Sequence, residues 1–175
     1  AAFYARARNY PSSRAHSLAE NEVPESVYDN LVETVRSRLP LLHRYVELRK
    51  KALGLSEIHM YDLYAPMVEG VHCSYSFEEA KEMVKEGLAP LGEEYRALLE
   101  EGFANRWIDV YENEGKRSGA YSWGVYGTHP YVLLNFNGTL DHVFTLAHEM
   151  GHAIHSSCSD RGQSYTYAGY KIFVG

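Results

Sequence analysis

The chemistry-bearing residues of this 175-residue sequence crowd into "TLAHEMGHAIHS", residues 145–156. His148 and His152 stand four positions apart, so on an α-helix they share a face about 6 Å from one another. Two imidazoles at that spacing suit a single Zn²⁺, each nitrogen at roughly 2.0–2.1 Å. Glu149 lies about 100° around the helix from His148, close to such an ion without having to ligate it. There it is placed to take a proton from a zinc-activated water attacking a carbonyl, and to pass it to a leaving amine. This is the metalloprotease reading of H-E-x-x-H.

Two further residues share that face. His155, seven positions after His148, stands about 10 Å further along the axis. That is a stretch for one ion, so a supporting or packing role is expected. Asp141, seven positions before His148, reads first as a negative charge in the opening turn of the helix, and second as a hydrogen-bond partner of a ligand histidine. His142 and His129 have no partner that spacing identifies. A catalytic zinc normally has three protein ligands. The longer pattern H-E-x-x-H-x-x-G-x-x-H fails, because His155 occupies the glycine position and Cys158 the third histidine position. Asp160 would need the following loop to fold back. Residues 1–175 thus hold no strong third ligand.

The elements that must position this helix are mostly helical. "PESVYDNLVETVRSRL" puts Val27, Leu31, Val32 and Val35 on one apolar face. Pro40 is expected to interrupt it, with "PLLHRYVELRKKALG" a second helix closed by Gly54. Ser76 and Glu79 have the capping-box form, so "FEEAKEMVKEGL" is a third helix, and "GEEYRALLEEGF" a fourth. Glycines, β-branched residues and aromatics then predict short strands near 119–123 and 131–136. "PYVLLNF" is expected to be buried beside the histidine helix, with an edge on which an extended peptide would dock. Thr139 is the expected N-cap of the histidine helix, running to about residue 156. "SSCSDRGQSYT" reads as loop, and "YAGYKIFVG" as the start of another helix. The expected class is mainly α, with a small β-sheet next to the active-site helix, in one domain.

Composition narrows the functions. A formal net charge of -6 argues against a nucleic-acid partner, and no apolar run is long enough to span a membrane. Cys73 and Cys158, 85 positions apart, form no paired-cysteine motif and point to reduced thiols in a cytoplasm. Fifteen tyrosines read as core and surface aromatics.

"HEMGHAIHS", preceded by "SGAYSWGVYGTHPYVLLNFNGTLDHVFTLA", resembles oligoendopeptidase F, in the thimet-oligopeptidase group of zinc peptidases. "VYDNLVETVRSRLPLLHRYVELRKKALGLSEIHMYDLYAP" is similar to helices of the same catalytic domain. The resemblance implies a helical, zincin-like catalytic domain, here partial and cut at both ends, that cleaves short peptides. It implies His148 and His152 as ligands of one Zn²⁺ and Glu149 as general base. It also implies a third ligand, a glutamate at 176 or 177, just beyond Gly175. The competing expectation is a helical fragment that binds metal weakly or not at all, because two histidines alone retain zinc poorly.

Overall fold

A computed structural model describes every residue except 69, 71, 72, 172, 173 and 175. The backbone groups into two compact units, Ala1–Val71 and His72–Gly175.

In the first unit, two short helices, α1 (Ala2–Ala7) and α2 (Ser13–Ala19), precede the long helix α3 (Glu25–Ala52). Ser12 caps α2 by accepting from the Ala15 N–H at 3.0 Å. Arg14 ties α2 to the start of α3 through Glu25 and Asp29. The break expected at Pro40 does not occur: α3 runs straight through it. Proline removes one intrahelical hydrogen bond there, and the full turns on either side carry the helix across. Gly54, with φ +67°, ends the helix as expected. The apolar face of α3 is present but exposed, Leu31 being 56% and Val35 55% accessible. The buried residue of α3 is Arg49, whose guanidinium donates to the carbonyls of Asp62 and Ala65 and so fastens the turn Met60–Tyr64 to the helix.

The second unit contains α4 (Phe77–Gly87), α5 (Glu93–Ala104), the strands β1 (Ile108–Asp109), β2 (Tyr121–Trp123) and β3 (Tyr131–Leu133), then α6 (Leu140–Gly162) and the single turn α7 (Tyr165–Ala168). Ser76 and Glu79 form the predicted capping box, each side chain accepting from the other's backbone N–H. The Ser76 N–H and, secondarily, the Ser76 hydroxyl both donate to the Glu79 carboxylate and hold it below its ordinary range.

The sheet order is β1-β3-β2, with β1 parallel and β2 antiparallel to β3. Residues 131–136 are therefore the central strand and its continuation, which corrects the expected docking edge: both sides of β3 are already paired. Along this segment Val132, Leu134 and Phe136 point into the core while Tyr131 is exposed, as alternation on a pleated strand requires. Helix α6 lies over these elements. Its Val143, Leu146, Met150, Ala153 and Ile154 interlock with Ala80, Val84, Leu99, Trp107 and the inward residues of β3. Two glycines let the layers close. A Cβ at Gly102 of α5 would lie 2.6 Å from the Met150 methyl, and one at Gly124, just after β2, 2.7 Å from Ser156 Cβ. β2, at the sheet edge, thus stands directly against the histidine helix.

Helix α6 extends to Gly162, beyond the expected end near 156. "SSCSDRG" has poor helix propensity, but Ser157 is buried and Arg161 pairs with Glu101 of α5 at 2.9 Å. Tertiary contacts override local preference. Of "YAGYKIFVG", residues 167 and 168 close α7, the next three are irregular, and most of the remainder lies outside the described residues.

Candidate metal and catalytic site

Thr139 accepts from the His142 N–H and starts α6 where the sequence predicts. Two turns on, His148 and His152 reach the surface on the same face. Their rings meet edge-on, and the two Nε2 atoms stand 3.1 Å apart. Nitrogens about 2.0–2.1 Å from one tetrahedral zinc would be separated by roughly 3.3 Å. The pair is therefore already convergent on a common point.

Glu149 sits one position around the helix and behaves differently. It is 8% exposed, and its Oε2 is buried with no hydrogen-bond partner among the described residues. A buried carboxylate oxygen left unbonded is costly, and native structures tolerate it chiefly where a ligand or reaction uses it. Glu149 and His148 together line a recess with Ala120, Asp141, Phe144 and Thr145. Convergent imidazoles beside an orphaned carboxylate are a donor set that fits a zinc ion with an adjoining base. Among the described residues, no third histidine, cysteine or carboxylate joins them in a group able to hold a metal.

The remaining candidates fall in distinct places. His155 is stacked on Tyr170 at 3.8 Å, and Tyr170 shares a hydrogen bond with Ser156 at 3.0 Å. This contact fastens the segment after α7 to the flank of α6. Cys158 is exposed, as is Cys73. Asp141 is exposed at the first turn of α6, where its backbone carbonyl accepts from Thr145 Oγ1. Burial raises the Tyr95 hydroxyl above its ordinary value, with Cys158 adding to the effect. Two histidines without assigned partners now have them. His142 Nδ1 accepts from the Asn137 N–H, and His129 stacks on Trp107 while its Nδ1 meets the Pro130 carbonyl. Both hydrogen bonds are local in the sequence, whereas the Trp107 stack joins residues 22 positions apart.

The whole of residues 1–175 matches the sequence pattern of Peptidase family M3. This chain belongs to Peptidase family M3. Among its M3 relatives, Oligopeptidase PepF of Bacillus subtilis is 55% identical over 98% of the chain. An oligoendopeptidase F homolog of Lactococcus lactis is 49% identical over 97%. The chain spans 26% and 28% of the lengths of these two proteins. A solved peptidase structure from Chlamydophila abortus superposes with a TM-score of 0.80 at 42% identity, over 98% of this chain and 29% of that one. The oligoendopeptidase-F structure from Enterococcus faecium matches over 89% of the chain and 21% of its own length, with a TM-score of 0.53. The family resemblance read from "HEMGHAIHS" and its mainly helical fold are borne out. No helix among the described residues is long and apolar enough to cross a membrane.

Proposed function

We propose that this chain contributes the metal-binding helix and the general base of a cytoplasmic, zinc-dependent oligoendopeptidase acting on short peptides. The observation that carries the reading is the 3.1 Å convergence of His148 and His152 beside the buried, unpartnered Oε2 of Glu149. His148 Nε2 and His152 Nε2 would hold one Zn²⁺, and a glutamate at 176 or 177 would complete the protein ligands. Zinc, when bound, supplies Lewis-acid polarisation of a carbonyl and lowers the pKa of water. Glu149 Oε2 accepts the proton of the attacking water and returns it to the departing amine nitrogen, so one carboxylate serves both half-steps. Its burial keeps the carboxylate from being saturated by bulk water, and α6 packing fixes its direction. His155, stacked on Tyr170, has a supporting role on α6 in this reading.

The test is Glu149→Gln in the full-length enzyme. Cleavage of internally quenched peptides should fall by about 10²–10⁴-fold, with one zinc per chain retained by elemental analysis. Unimpaired cleavage by that variant overturns the assignment. The alternative reading, weak or absent metal binding by residues 1–175 alone, is favoured for that isolated stretch because no third donor joins the histidines among the described residues. Calorimetric titration with zinc separates the two: a tight one-to-one site in the isolated stretch would require a further ligand within it.

A further inference from the structure

After α6 ends at Gly162 the chain doubles back along it. Tyr126 donates its hydroxyl to the Gln163 carbonyl at 3.1 Å and meets the Tyr165 ring edge-on, which holds the reversal. Ser159 Oγ then donates to the Ala168 carbonyl. Two residues later the Tyr170 ring lies flat on His155, with its hydroxyl 3.0 Å from Ser156 Oγ. As the chain advances from 168 to 170, its partner on α6 thus retreats from 159 to 155. That retreat is about 6 Å along the helix axis, close to the most that two extended residues span. The segment therefore runs antiparallel to α6 and towards the histidine pair.

His155 follows His152 by three residues and His148 by seven, so the three imidazoles share one side of α6, and His152 stands about 4.5 Å further back along the axis. Tyr170, level with His155, is less than one helical turn short of His152. A Cβ at Gly124 would lie 3.0 Å from Ser156 Oγ and so would crowd the hydroxyl that Tyr170 meets. The residues that bury α6 in the core are others, Val143, Leu146, Met150, Ala153 and Ile154, so these tethers act on the returning segment.

A zinc held by two histidines is one protein donor short of an ordinary catalytic site. No further histidine, cysteine or carboxylate joins the pair among the described residues. We propose that Tyr170 and His155, with Ser156 and Ser159, are positioning residues for the metal: they aim the chain that follows Tyr170 so that it brings the third donor to the histidine pair. The inference rests on the zinc reading given above. An approach fixed in advance removes conformational freedom that metal binding would otherwise have to restrict.

The test measures the zinc affinity of the full-length enzyme by competition with a chelator, beside the Tm of the zinc-free protein and peptide-cleavage kinetics at saturating zinc. Tyr170→Ala and His155→Ala should each weaken zinc binding by about 10–100-fold. The zinc-free Tm should move little, and KM should hold, because neither residue lines the recess of His148 and Glu149. His155→Phe keeps a flat ring beneath Tyr170 and should restore most of the affinity lost in His155→Ala. Tyr170→Phe keeps the stack but loses the Ser156 bond, and should weaken zinc by a smaller factor; it carries the test if an alanine variant fails to fold. Zinc affinity unchanged in every folded variant of Tyr170 and in His155→Ala overturns the proposal. His152→Ala separates it from the reading beneath it. Zinc retained there overturns the histidine site and this proposal together, whereas zinc lost there but unmoved by the Tyr170 and His155 variants overturns this proposal alone.

Discussion

Helix α3 places Val27, Leu31 and Val35 four residues apart along one side, and helix α6 places Val143, Leu146, Met150 and Ile154 with the same helical period. The two patterns meet different fates. Leu31 is 56% exposed, whereas Leu146 is fully buried. Along α3 the buried residue is Arg49, and along α6 there are seven buried residues, Glu149 among them. Periodicity decides that a segment is helical. Only the elements packed against it decide whether a polar group on it is removed from water, and so whether that group acquires chemistry.

The largest test of this contrast is a pair of truncations. Leu146→Ala should cost about 2–5 kcal/mol, as deletion of a close-packed core side chain does. Leu31→Ala, in residues 1–175 alone, should stay within about 0.5 kcal/mol, as exposed substitutions do. Chemical denaturation of both variants checks this, and equal losses would dissolve the comparison. A middle-sized effect comes from Pro40→Ala, which restores a missing backbone bond inside α3 and should stabilise that helix by about 2 kcal/mol. Slower hydrogen exchange of the amides flanking residue 40 is the readout, and unchanged exchange would mean that the proline costs nothing there. The smallest effect is at the start of α6. Thr139→Ala removes the cap bond and should cost about 1 kcal/mol, visible as a lowered Tm with peptide cleavage retained.

The sequence made the centre of the site legible and its surroundings much less so. The positions of His148, Glu149 and His152 on one helix, its cap at Thr139 and the box at Ser76 and Glu79 are all local matters of spacing. What escaped depends on residues far away in the chain. β1 is two residues long and is a strand only because Ile108 pairs with Val132. The central place of β3 follows from a strand order that no local pattern encodes. The final turns of α6 exist because Arg161 pairs with Glu101 and Ser157 is buried, against the propensity of "SSCSDRG". Helices α1 and α2 carried too little periodic signal to be read, and Pro40 carried a signal that a long helix overruled. The burial of Glu149, which distinguishes a base from a surface acid, is likewise a property of packing.

Gly102 gives the same lesson in another form. The Met150 methyl occupies the volume that any side chain at 102 would claim, and Met150 stands between the two histidines. The histidine helix is thus seated in a mould whose defining surface is an omitted carbon, and its distance from α5 is set by what the chain leaves out. A substitution at 102 would have to push aside the Met150 methyl and the Trp107 ring, and so would press on the core behind the histidine pair without touching either histidine.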